Sequence, residues 1–320
     1  MRKPSGLGVR EIARKLNLNI STVSRALNRS YLVSKETTEL VLRTANEMGY
    51  HKQKTKKCIV VLLPDSRVKL AWYTLNLINV LKDSLKQRNY YWEFINKDKI
   101  DIIQERSATG IISIDFSGDI AKDISDKYNI PLVCINDASD HTDNVYSVNS
   151  DAASAIELSF GCLYDYGHRN IAYIATSGNS YGAEKRKEAF LKIAARCGLS
   201  DTCVYISEQV NAYHGIVSRL AKQGITGIIA DGESAGLLIL NSLNTCKIKV
   251  PGKMSFITWE LPYISELINP ALTTVEQNFP LIAEKAVLML ESQMRGEPIT
   301  GDITVPYRLH QRNSVTVPVR

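Results

Sequence analysis

The residues with the most distinctive chemistry stand between positions 10 and 28, reading Arg-Glu-Ile-Ala-Arg-Lys-Leu-Asn-Leu-Asn-Ile-Ser-Thr-Val-Ser-Arg-Ala-Leu-Asn. Ala13 is small where a second helix would cross a first closely, and Val23 falls on the side that faces it. Asn17 lies at the intervening turn, where a positive φ is common and Asn tolerates it better than most residues. Ile20, Ser21, Ser24 and Arg25 project outward from the N-terminal part of the second helix. In a helix-turn-helix that part enters the major groove. Arg25 can donate to guanine O6 and N7 or to a phosphate, while Thr22 and Asn28 suit phosphates. Other chemistries lack their residues. His141, His168, His214 and His310 have no metal-ligand spacing, and His168 reads as a structural turn residue. There is no glycine-rich phosphate loop, G-x-S-x-G elbow or H-E-x-x-H. A DNA-processing enzyme would need a nucleophilic Ser or Tyr amid several Arg, or clustered carboxylates, and neither stands out. No enzyme, cofactor or metal is expected.

These residues need elements to hold them. Three short helices are predicted in the first 50 residues: about Val9 to Leu16, about Ile20 to Leu27, and Lys35 to Met48 with Ser34 as N-cap and Gly49 ending it. Ile12, Leu16, Val23, Leu27, Val41, Ala45 and Met48 recur at helical spacing and form a small core. His51 to Lys57 is basic, lacks apolar anchors and reads as a linker. From Cys58 the pattern alternates. Strands are predicted at Ile59–Leu63, Tyr90–Ile95, Gly110–Ile114 and Pro131–Ile135, with an amphipathic helix at Leu70–Lys86. After Asp151 the alternation restarts, with a helix to Tyr166, strands at Ile171–Ala175, Cys203–Ile206, Gly227–Ala230 and Met254–Trp259, and a helix at Glu184–Arg196. Short apolar strands alternating with helices mean parallel sheets covered on both faces, and two series mean two subdomains. A helix at Phe279–Met294 and a strand around Ile303–Leu309 are expected to cross back between them.

The charge is uneven. Residues 1–57 carry 13 Lys and Arg against 4 Asp and Glu, and the rest of the chain 26 against 29. Clustered cations on a small unit are the footprint of a nucleic-acid binder. The six cysteines, Cys58, Cys134, Cys162, Cys197, Cys203 and Cys246, form no C-x-x-C pair and read as free thiols in a reducing compartment. No segment resembles a signal peptide or a membrane span, so a cytoplasmic protein is expected.

Ile20-Ser-Thr-Val-Ser-Arg-Ala-Leu-Asn28, followed by Val33-Ser-Lys-Glu-Thr37 and Met48-Gly-Tyr50, resembles the head of the lactose/galactose repressor (LacI/GalR) family. Weaker matches run on through Gly167-His-Arg-Asn-Ile171, Arg186-x-x-x-Phe190, Asp231-x-x-x-x-Gly236, Pro251-x-x-Met-Ser-Phe-Ile257 and Thr273-Thr-Val-x-Gln277. The resemblance implies an all-α helix-turn-helix head and an α/β two-lobed, periplasmic-binding-protein-like core. The head is residues 1–50, the linker 51–57 and the effector-binding and dimerisation domain 58–320. Lobe 1 covers about 58–148 and 278–298, and lobe 2 about 149–277 and 299–320. It also implies Ile20, Ser21 and Arg25 at the principal base-reading positions. Two departures stand out: Asn17 replaces the usual turn glycine, and Ile59 follows Tyr50 by only nine positions with no leucine before Cys58. That shortage argues against the family's leucine wedge in the minor groove and assigns Lys52, Lys54, Lys56 and Lys57 to phosphates.

By family position Arg186, Asp231 and Glu260 line the second lobe of the cleft, Asn136 and Trp72 or Tyr73 the first, and Gln277 reaches in from the crossover. Trp259 offers a further stacking face. Trp72 and Tyr73 read equally well as helix-core aromatics, Arg186 as a surface ion pair, and Asp231 as the cap of the following helix. The implied function is a sequence-specific transcriptional repressor on a palindromic double-stranded operator. It works as a homodimer, because one head covers only a half-site. The implied effector is a sugar, a galactoside or related saccharide, whose binding releases DNA. The alternatives are a purine or phosphosugar acting as corepressor. The short segment after Leu309 has no heptads and argues against a tetramerising coiled coil.

Overall fold

The computed structural model describes residues 8–319 except 28–31, 49, 51–56, 67–71, 106–107, 115–122, 125–126, 137–144, 176–180, 199–203 and 207–211. The head consists of α1 (Val9–Leu16), α2 (Ile20–Leu27) and α3 (Lys35–Glu47). Ile12, Ala13, Val23, Ala26, Val41 and Ala45 are buried together, with Leu16, Leu27 and Met48 packed against them. This is the core that the helical spacing predicts. Its ends are capped locally. The Gly8 amide donates to Glu11 Oε2 at 2.6 Å, and the Thr37 amide donates to Ser34 Oγ at 3.2 Å. Asn17 adopts φ 51°, ψ 41° and its amide closes back on α1, so the left-handed turn is real and an amide side chain occupies it.

The body has two sheets. The first takes β1 (Cys58–Leu63), β2 (Tyr91–Asn96), β3 (Ala108–Ile114), β4 (Leu132–Ile135), β5 (Tyr146–Ser150) and β11 (Ile303–Val305), in the order β11-β5-β4-β3-β1-β2 and parallel throughout. Every residue of β1 is buried, as a strand covered on both faces requires. One face packs on α4 (Trp72–Gln87) and α9 (Phe279–Arg295), through Leu77, Leu81 and Leu85 and through Ile282, Ala286 and Leu290. The opposite face packs on Ile103, Ile124 and Tyr128.

The second sheet takes β6 (Ile171–Ala175), β7 (Val204–Ile206), β8 (Gly227–Asp231), β9 (Ser255–Trp259), β10 (Thr273–Glu276) and β12 (Arg308–His310), in the order β12-β10-β9-β8-β6-β7. Only β12 runs antiparallel. Its helices are α5 (Ala152–Asp165), α6 (Ala183–Arg196), α7 (Ala212–Lys222) and α8 (Glu233–Thr245). Gly236 lets α8 lie close on β9, since a Cβ there would overlap Thr258 Oγ1. Among the described residues no helix is long and apolar enough to cross a membrane.

The lobe boundaries differ from the expected ones. Residues 299–320 do not all belong to the second lobe, because β11 pairs with β5 in the first sheet. The strand expected around Ile303–Leu309 is two strands. Pro306 lies between them; it has no N–H to offer a ladder, and the chain changes sheets there. The chain therefore passes between the lobes three times: from β5 to α5, from β10 to α9, and from β11 to β12. The first two passages leave from the carboxyl ends of strands, so those ends of both sheets meet.

Candidate DNA-binding face and effector cleft

In α2, Val23 and Ala26 are fully buried, and this fixes what the helix presents outward. Ile20 is 51% exposed, Ser21 and Arg25 are exposed, and Thr22 and Ser24 are half-buried. Ile20, Ser21, Ser24 and Arg25 therefore share one face, at the spacing of neighbouring turns. An isoleucine exposed to that extent leaves about half of its surface in water, and contact with a thymine methyl would cover it. Arg10, Arg14 and Lys15 on α1 and Lys35 and Arg43 on α3 are also exposed, so the head offers cations over more than one helix. Lys57 is exposed, and its carbonyl accepts the Tyr91 amide at 3.0 Å, tying the end of the linker to the first sheet. Asn28, Lys52, Lys54 and Lys56 lie outside the described residues, as does the rest of the linker before Lys57.

At the carboxyl ends of the strands the second lobe holds a buried ion pair. Arg186, on the first turn of α6, donates from Nε to Asp231 Oδ2 at 2.8 Å and from Nη1 to the Tyr181 carbonyl at 3.0 Å. The Tyr173 hydroxyl also donates to Asp231 Oδ2. Arg186 and Asp231 are only 6% and 4% exposed. Burial opposes the Arg186 charge, but the Asp231 carboxylate outweighs it and holds the guanidinium above its ordinary range. Burial and Asp231 together push the Tyr173 hydroxyl up, so it stays a donor. The guanidinium carbon lies 5.5 Å from the Trp259 ring centroid, and Trp259 packs edge-on to Tyr307. Gly182, at φ +74°, starts α6 against Ala152, where a Cβ would come within 2.6 Å. That close approach sets Arg186 at its depth.

Glu260 is placed differently. Its carboxylate takes a two-pronged contact from Arg312, Nη1 to Oε2 at 2.8 Å and Nη2 to Oε1 at 3.2 Å, and accepts from Thr274 Oγ1. Arg312 also donates to the Leu272 carbonyl at 2.7 Å. Asp231 and Trp259 are neighbours on one side of the second sheet, and Glu260, one residue on, points to the other. The sequence reading missed Arg312, which stands 52 positions from Glu260 and carries no local signal. Tyr173 was also missed, because a tyrosine in an apolar strand reads as core.

On the first-lobe side Asn136, Tyr73 and Gln277 meet. Asn136 Nδ2 donates to Tyr73 Oη at 2.8 Å and to Gln277 Oε1 at 3.0 Å. Trp72 is 44% exposed beside them on α4, whereas Tyr73 packs on the core next to Phe279. His168 lies away from these groups. Its Nε2 faces the Thr316 carbonyl at 2.9 Å and its Nδ1 faces Thr226 Oγ1 at 2.8 Å. A carbonyl can only accept, so Nε2 carries the hydrogen and Nδ1 receives one. Burial lowers its pKa, and it acts as a tie for the C-terminal segment. Among the described residues no group of His, Cys, Asp or Glu could hold a metal ion.

Residues 9–53 match the bacterial regulatory proteins of the lacI family, and residues 160–315 match a periplasmic binding protein-like domain. The chain is 22% identical over 307 residues to the HTH-type transcriptional repressor PurR of Pasteurella multocida, covering 88% of this chain and 90% of that one. Two solved structures share its fold. The transcriptional regulator CelR in complex with cellobiose has a TM-score of 0.69 at 19% identity, over 96% of this chain and 99% of that one. The Lac repressor dimer bound to operator and the anti-inducer ONPF has a TM-score of 0.69 at 18% identity, over 98% of this chain and 100% of that one. With a helix-turn-helix head and a two-sheet periplasmic-binding-protein-like body, this chain belongs to the LacI family, as a transcriptional repressor with an effector-binding domain.

Proposed function

We propose that the chain represses transcription as a cytoplasmic homodimer on a palindromic operator and leaves it when a saccharide, a galactoside or related sugar, closes the cleft. Residues 1–50 form the reading head, 51–57 the linker, and 58–320 the sensing and dimerising body. Ile20, Ser21 and Arg25 read bases. Thr22, Ser24, Asn28, Lys52, Lys54, Lys56 and Lys57 hold phosphates. The observation that carries the effector reading is the Arg186–Asp231 pair beside the Trp259 ring at the carboxyl ends of the second sheet. A sugar has adjacent hydroxyls that donate and accept at once, and an apolar ring face. A paired cation and anion match the hydroxyls, and an aromatic plane such as the exposed Trp72 matches the face, whereas Trp259 is buried behind Arg186 and Tyr307. Gln277 and Tyr73 border the cleft and Asn136 holds them, while Glu260, expected there by family position, is turned to the other side of the sheet and bound by Arg312. The CelR complex holds cellobiose in a body of the same fold, which favours a saccharide over a purine or a phosphosugar.

The test is a mobility-shift titration against DNA from the protein's own upstream region, with galactosides, other saccharides, phosphosugars and purines added in turn. Release by a neutral saccharide is expected. Tighter DNA binding with a purine or a phosphosugar, and no response to any neutral sugar, would replace this reading with the corepressor one.

A further inference from the structure

We infer that Asn136 is a positioning residue whose amide clasps the passages between the lobes and so sets the resting angle of the cleft. Its importance for gating rests on the effector-controlled reading above; its geometry does not. Asn136 directly follows β4 in the left-handed region, φ 53°, and is 3% exposed. Its own amide donates to the Val148 carbonyl at 3.1 Å. Its side chain is then fully used. One Nδ2 hydrogen goes to Tyr73 Oη at 2.8 Å and the other to Gln277 Oε1 at 3.0 Å, while Oδ1 accepts the Ser150 amide at 2.7 Å.

Those partners are the passages themselves. Ser150 is the last residue of β5, before the first passage, and Gln277 follows β10 in the second. Ser150 Oγ donates to the same Gln277 Oε1 at 2.5 Å, joining the two directly. The third passage is tied in behind them, since Val305 lies in register with Ser150 and its carbonyl accepts the Asp151 amide at 2.8 Å. From the second lobe, Tyr181 Oη donates to the Ser150 carbonyl at 3.3 Å. Tyr73 adds the first turn of α4, the helix that follows β1, and β1 continues directly from the linker to the head. Asn136 and Ser150 are buried at the centre of this network, so losing either side chain leaves donors and acceptors there unpaired. Hinges are a few positions at the ends of elements, which is where all of these residues stand.

The test uses the full chain without effector or DNA. Spin labels carried on an unnatural amino acid replace the exposed Lys86 of the first lobe and Lys192 of the second, and pulsed EPR reads the distance between them. Asn136→Leu should displace or broaden the distance distribution, and Gln277→Leu should do the same. The double variant should add little to the larger single effect, because both cut one network. Asn136→Asp should restore the wild-type distribution. A carboxylate still accepts from Ser150 and from the Tyr73 hydroxyl, and the Gln277 amide can turn to donate. Thermal melts confirm that each variant is folded, and Gln277→Leu decides the matter if Asn136→Leu does not fold. Folded leucine variants whose distributions superimpose on wild type would overturn the clasp, as would an aspartate variant that behaves like leucine. Neither outcome bears on whether a saccharide is the effector.

Discussion

Arg25 stands on a helix face whose reverse side is sealed by Val23 and Ala26, so its guanidinium can only be spent outside the head. If it reads a base, Arg25→Ala weakens binding to the cognate duplex by roughly 1–3 kcal/mol and leaves a scrambled duplex almost untouched. Fluorescence anisotropy on the two duplexes checks this, and equal losses on both would place Arg25 on a phosphate. Lys57→Ala should instead weaken every duplex alike and reduce the salt slope by about one unit. Arg186 and Asp231 answer to a different rule. Each buried charge is tolerable only beside the other, so Asp231→Asn or Arg186→Leu should lower unfolding stability by about 3–5 kcal/mol in a urea titration. Their assignment by family position was open to a surface ion pair or a helix cap. The depth of the pair and its tie to Tyr173 come from long-range packing that no local pattern encodes.

Elements were legible where one local force dominates. The head helices read correctly because caps, turn and apolar spacing agree: Ser34 caps α3, and Asn17 takes the left-handed turn. Ser34→Ala should cost about 1 kcal/mol of head stability, seen as earlier loss of helical signal in a thermal melt. The strands of continuous apolar residues were equally plain. β5 was not, because Tyr-Ser-Val-Asn-Ser looks like a polar loop, although Ser147 and Ser150 are buried by their hydrogen bonds. Nor was the split at Pro306, because the ladders on either side belong to different sheets. His168 shows how a late segment is secured. Its pKa is lowered from 6.5 by burial, so folding favours the neutral ring. That contribution is complete above pH 6.5 and is lost as pH falls from there through the folded value. The melting temperature should therefore drop on acidification in this window, and His168→Gln should flatten the slope. An unchanged slope would mean that other groups carry it.

At the scale of the whole molecule, a cationic head and a mildly acidic two-lobed body divide the labour, and the chain weaves three times between the lobes before it ends. The change from a helical head to an α/β body was readable from charge and periodicity. The third passage was expected too, but near residue 298 rather than at Pro306, because a three-residue strand such as β11 carries too little pattern to declare its sheet. Weaving of this kind makes lobe angle a property of a few strand ends, which suits the effector-controlled release of DNA proposed above. The most direct test of the account is anisotropy on labelled duplex from the protein's own upstream region, read with the full chain, with residues 1–57 removed, and with the saccharide that most raises the melting temperature. The full chain should prefer this duplex to a scrambled one and lose the preference when the saccharide is added, and the shortened chain should bind neither. Equal, salt-sensitive affinity for both duplexes, unchanged by the saccharide and surviving removal of residues 1–57, would contradict it.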